Sequence, residues 1–124
     1  MYRSKVRYGR ALSLWMILFA SGCSHGTTDY PLDPEVARES VRKAMQAWAD
    51  GKTPPDLKPG IIMGDTAWEH GTKLASFEIL SDEETTDGSN LHIPVLRKFG
   101  TTGTKEAKVT YIVGTSPVIT IFPQ

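Results

Sequence analysis

The sequence predicts an α+β domain in which one N-terminal helix packs on an antiparallel sheet of four to five strands. Three observations predict it. Apolar residues recur at helical spacing between residues 34 and 50. From residue 73 onward, short apolar runs alternate with Gly-, Pro- and Ser-rich turns. No second segment carries a helical stripe long enough to form a bundle with the first, so its apolar face needs a sheet to cover.

The helix is bounded at both ends. Asp33 suits the N-cap, Pro34 the first helical position, and Glu35 complements the positive end of the helix dipole. Ala37, Val41, Ala44, Met45 and Trp48 form one stripe, which makes Trp48 a core anchor. Glu35, Arg38, Glu39, Arg42, Lys43, Gln46 and Asp50 take the remaining surface, and Gly51 is a natural C-terminal stop.

The prolines of Lys52 to Gly60 exclude helix and make this stretch a stiff connection. Ile61 to Met63 reads as a short strand, and Thr66 to Gly71 as a turn holding Trp68, either packed on the helix or exposed. Lys73 to Leu80 is a strand of imperfect alternation, with Ala75, Phe77 and Ile79 on one face and Leu74, Ser76, Glu78 and Leu80 on the other. Ser81 to Asn90 is a polar hairpin-type loop. Leu91 to Phe99 follows as a strand in which Pro94, lacking a donor, predicts an edge position or a bulge. Phe99 to Lys105 turns the chain, and Ala107 to Val113 is a strand with Val109, Tyr111 and Val113 aligned. Val118 to Phe122 closes it, with Val118, Thr120 and Phe122 opposing Ile119 and Ile121. Strands joined by short loops are expected to pair antiparallel.

This element order, over residues 34–122, is similar to that of the cystatin-like superfold, and the resemblance implies a curved sheet wrapped around the helix. It rests on order and implies no activity. The inhibitory Q-x-V-x-G hairpin of cystatins is absent; the nearest string, Tyr111-Ile112-Val113-Gly114, has no glutamine. Enzymes and pocket binders of the related ketosteroid-isomerase-like fold close a cone with extra helices, which this chain does not offer.

The N-terminus has its own pattern. Arg3, Lys5, Arg7 and Arg10 precede the uncharged run Ala11 to Ala20, a basic region and a short apolar region as in secretory signal peptides. The run is shorter than the roughly 20 residues that span a bilayer core. Ala20, Ser21, Gly22 and Cys23 follow, and the segment resembles the signal peptide and lipobox of bacterial lipoproteins. The resemblance implies that Cys23 receives a diacylglyceryl group and that the chain is cut before it, although Ala20 stands where that family prefers Leu. A plain thiol beside an ordinary cleavage site, or an uncleaved membrane helix, are the competing readings. The expected organisation is a signal peptide over 1–22, a lipidated Cys23 with a polar tether over 23–33, and a small domain over 34–124. The implied location is the cell envelope, extracytoplasmic and lipid-anchored. Ser24, where an Asp signals inner-membrane retention, favours the outer membrane.

Removing residues 1–22 takes four basic and no acidic residues, leaving 10 basic against 14 acidic and a net charge of −4. That balance speaks against nucleic-acid binding, which wants a basic face. With Cys23 lipidated, no thiol remains for disulfides, cysteine catalysis or zinc-cysteine sites.

Candidate chemistry is sparse. Asp82, Glu83, Glu84 and Asp87 cluster, but their spacing is not that of an EF-hand and Gly88 fits a solvated turn. His70 and His92 show no paired metal-ligand spacing, and His25 lies in the tether. No G-x-S-x-G surrounds a serine, and Gly100 and Gly103 lie between strands, which disfavours a phosphate cradle. No cofactor, metal or catalytic residue is therefore expected. Apolar residues on both sheet faces beside a single helix predict a non-catalytic interaction module, with the uncovered face taking an envelope protein or a second copy. The alternative is a small-ligand binder or weak enzyme using Trp68, His70, His92 and Tyr111 around a sheet cleft.

Overall fold

The computed structural model describes residues 30–124, and the signal segment, Cys23 and the tether as far as residue 29 lie outside the described residues. Helix α1 spans Pro34–Ala49. The Asp33 carboxylate caps it, its Oδ1 accepting from the amides of Glu35 and Val36 at 3.1 Å each. The predicted stripe is its buried face, widened by Ser40 and Ala47. Gly51, with φ of +85°, takes the left-handed turn that ends the helix.

Six strands follow: β1 Ile61–Met63, β2 Leu74–Ile79, β3 Thr85–Thr86, β4 Leu91–Phe99, β5 Lys105–Gly114 and β6 Ile119–Pro123. They form one curled half-barrel sheet in the order β1-β6-β5-β4-β2, with β3 also pairing to β4. The fold is α+β, with one main helix against the inner face.

Four expectations need correction. The sheet is mixed, since β1 joins β6 in parallel, Ile61 beside Ile119. Sequential neighbours pair antiparallel from β2 onward. Between β1 and β2 the chain instead passes from one sheet edge to the other through a short helix, α2 (Thr66–Glu69). Residues 66–71, read as a turn, are thus mostly this helix.

Pro94 lies in β4, inside the sheet, and not at an edge or bulge. Its carbonyl accepts from the Leu80 amide at 2.9 Å. The nitrogen and carbonyl of one strand residue point the same way. The missing donor therefore faces Leu80, just past the end of β2, and not β5, whose Thr110 turns its carbonyl to Gln124, so the β4–β5 ladder is kept.

The faces of β2 also differ from strict alternation. A bulge between Leu74 and Ser76 shifts the register, so Leu74 beside Phe99 and Phe77 beside Arg97 face the same side. Leu74, Phe77 and Ile79 all join the core, while Ala75 turns outward.

The core lies between α1 and the inner sheet face. Val41, Met45, Ile93, Val95, Tyr111, Val113 and Ile121 are its largest fully enclosed side chains. Trp68 is settled as core. Its ring stacks on Trp48 with centroids 5.2 Å apart and planes 4° apart, tying α2 to the end of α1.

Candidate functional site

Polar chemistry inside the fold centres on Asp65, 4% exposed just before α2. Its Oδ1 accepts from the amides of Ala67 (3.0 Å) and Trp68 (3.2 Å), capping α2. Its Oδ2 accepts from the Tyr111 hydroxyl at 2.5 Å and from Arg97 Nη1 at 3.2 Å. A carboxylate offers about four lone-pair sites, and four donors occupy them here. Burial, and then the bond to Asp65, push the Tyr111 phenol far above its ordinary range. Such a hydroxyl is a structural donor and not a proton-transfer group near neutral pH. Arg97 lies 5.0 Å from the Phe99 ring centroid, and its Nε is buried with no partner among the described residues. The hub therefore joins three distant chain segments. Tyr111 is one of the residues the sequence marks, but no local signal in it joins Asp65 to Arg97.

The residues named for a sheet-cleft site are not brought together. Tyr111 faces the core and Trp68 is packed under α1. His92, paired in register with Ile112, lies on the outer face, and His70 follows α2 at the exposed surface. The indole N–H groups are engaged as well: Trp48 donates to the Thr72 carbonyl and Trp68 to that of Lys52, both at 2.7 Å.

The acidic loop, expected as a solvated tip, is stapled to its surroundings. Glu84 forms a forked ion pair with Arg38 of α1, and Lys108 reaches Glu83 at 2.9 Å. Asp87 accepts from His92 (2.9 Å) and from the amides of Ser89 and Asn90. These bonds, that to His92 first, hold Asp87 well below the usual carboxylate range, and the Arg38 contact lowers Glu84. Among the described residues, no three His, Cys, Asp or Glu side chains converge to hold a metal ion.

The outer sheet face divides in two. Its half nearer the β4–β5 turn is charged and cross-linked, with Lys98 opposite Glu106 and Lys108 joined to Glu83. Its other half carries apolar side chains beside Thr120 and the His92–Asp87 pair. Phe122 lies beside Ile112 in register, and Ile62 beside Thr120. A Cβ added at Gly64 would stand 2.8 Å from Phe122 Cδ1, so the ring covers the glycine backbone directly. Phe122 and Ile62 remain 45% and 38% exposed. The sheet edges themselves are poor templates for pairing: β1 has three residues and β2 is bulged.

A cleft of about 670 Å³ runs between α1 and β1, with Ala47, Leu57, Ile61 and Ile119 as its floor. Its rim mixes Glu39, Arg42, Lys43 and Asp56, and Arg42 is already bonded to Glu39 at 2.7 Å. A rim of both signs provides no field that would select a charged small molecule.

No family model, no curated protein and no solved structure matches this chain.

Proposed function

We propose that this chain is a lipid-anchored extracytoplasmic protein whose domain is a non-catalytic interaction module, held to the membrane through Cys23. In this reading the apolar half of the outer sheet face, formed by Ile62, Ile112 and Phe122, receives another envelope protein. One observation carries it: Ile62 and Phe122 stay exposed on that half of the face, while the charged half of the same face is internally paired. The polar groups most able to do chemistry, Asp65, Tyr111 and Arg97, are occupied with one another. The architecture is also read as a relative of the single-helix cystatin-like arrangement, which a helix wrapped by a curled sheet supports.

The test is site-specific photo-crosslinking of the full-length protein in its own cells. A probe at Phe122 should trap one envelope protein reproducibly, while a probe at Thr101 in the β4–β5 turn should not. Equal labelling from both positions removes the assigned face; crosslinks only between copies replace the partner with a homodimer. Anchoring is tested separately, since Cys23→Ser should release the protein from membranes or leave it unprocessed.

A further inference from the structure

The end of the domain where the tether arrives carries its own set of exposed apolar side chains. The Asp33 amide donates to Thr115 Oγ1 at 2.9 Å, and that hydroxyl reaches the Pro31 carbonyl at 3.3 Å. The incoming chain is thereby pinned to the β5–β6 turn. Tyr30 precedes the pin, Val36 lies in the first turn of α1 just after it, and Val118 ends the turn that holds it. These three are 50%, 39% and 46% exposed, and with Ile62 and Phe122 they make up the large exposed hydrophobics of the described residues. Asp33 is engaged in capping α1, and Thr115 binds the tether.

Seven residue steps separate Cys23 from Tyr30. Fully extended, they span about 25 Å, and as a flexible chain on the order of 15 Å. A lipid on Cys23 would thus bring this end of the domain closest to the bilayer surface. We propose that Tyr30, Val36 and Val118 form a rim that seats in the headgroup region of the membrane carrying the anchor. Tyrosine suits that position because its ring is apolar and its hydroxyl stays wet. The β4–β5 turn then points away, since the nine residues of β4 extend roughly 25–30 Å from the rim. The apolar outer face would stand upright beside the membrane, open to a partner. This inference rests on the lipid-anchor reading.

The chain's one cysteine makes the test clean, because an acylated Cys23 leaves an introduced thiol as the sole labelling site. Full-length Val118→Cys and Thr101→Cys proteins are purified from membranes and labelled with an environment-sensitive fluorophore. They are reconstituted in phosphatidylcholine vesicles containing nitroxide-labelled lipid; a neutral lipid avoids repulsion of the nearby Glu35. Mass spectrometry of the N-terminal peptide records whether Cys23 is acylated. The expected result is acylation with quenching several-fold stronger at 118 than at 101. Equal quenching on acylated protein overturns the rim and leaves the anchor standing. An unmodified Cys23 overturns both. Strong 118-to-118 crosslinking without lipid quenching assigns the rim to a second copy and overturns membrane contact.

Discussion

The two faces of the sheet use similar residues to opposite ends. On the inner face the large apolar side chains pack in the core against α1, and Arg97 meets Asp65 and Phe99. On the outer face, charged residues pair across strands at the end with the β4–β5 turn, and apolar ones stand open toward the tether end. The contrast separates what holds the fold together from what is left free to meet something else. It also predicts that substitutions on the inner face should act on stability, and those on the outer face on association.

The largest effect is expected at the hub. Asp65→Ala removes the partner of a buried guanidinium, leaves Tyr111 without an acceptor and uncaps α2. Breaking a buried charged pair from one side costs about 3–5 kcal/mol. Urea unfolding monitored by the stacked Trp48 and Trp68 should show that loss. A cost below about 1 kcal/mol would mean that the hub does not fasten the inner face.

Next comes Tyr111→Phe. It keeps the ring and removes one donor from a buried carboxylate, for about 1–3 kcal/mol at neutral pH. It has a second signature. The phenol's range is raised in the folded protein, so its contribution is fully present below its ordinary value of about 10 and is lost as pH rises beyond it. Wild type should therefore lose stability above about pH 10, and the phenylalanine variant should lose less over the same interval. Parallel alkaline denaturation curves would disconnect the hydroxyl from the hub.

Glu84→Gln addresses the staple between α1 and the loop, where a smaller change is expected. Arg38 holds the Glu84 carboxyl below its usual range. The stability this provides is present above about pH 4.3 and disappears as pH falls through the lowered value. The variant should be less stable than wild type at pH 7, and the difference should shrink as the pH is lowered, measured by thermal unfolding.

How far these features could be read from sequence depends on whether the deciding residues are neighbours in the chain. The stripe from Ala37 to Trp48, the Asp33 cap and the Gly51 stop are local signals, and the helix formed where they placed it. The span of β4 followed in the same way, since alternation and turns bound it, whereas β5 runs from Lys105 to Gly114 and extends beyond the expected Ala107 to Val113 at both ends. The parallel entry of β1 was not legible, because three residues carry no mark of which edge they join. The β2 bulge left only a trace, the imperfect alternation of Leu74 to Leu80, and that trace was the fingerprint of Leu74 and Phe77 sharing a face. The hub was partly legible. Arg97 stands two residues after Val95, in phase with the buried positions of β4, and an arginine in that phase needs an internal acid. Which acid answers it depends on contacts more than 30 residues away, between Asp65, Arg97 and Tyr111.

The smallest stability change is expected where the functional consequence is greatest. Ile62 and Phe122 are exposed on the outer face, where surface substitutions usually shift stability by within about 0.5 kcal/mol. Ile62→Asp combined with Phe122→Asp should leave the urea midpoint near that of wild type and keep the tryptophan stack intact. The same double variant should lose the envelope partner trapped by a crosslinker placed at Ile112, because two buried carboxylates would stand unpaired in the interface. Gly64→Ala probes the same surface more gently: its Cβ would force the Phe122 ring aside, and the ring, 45% exposed, has solvent to move into. Retained capture with Gly64→Ala but not with the double aspartate would show that the partner reads apolar area and tolerates a displaced ring. Capture unchanged in both would move the interaction off this face while leaving the inner-face results untouched.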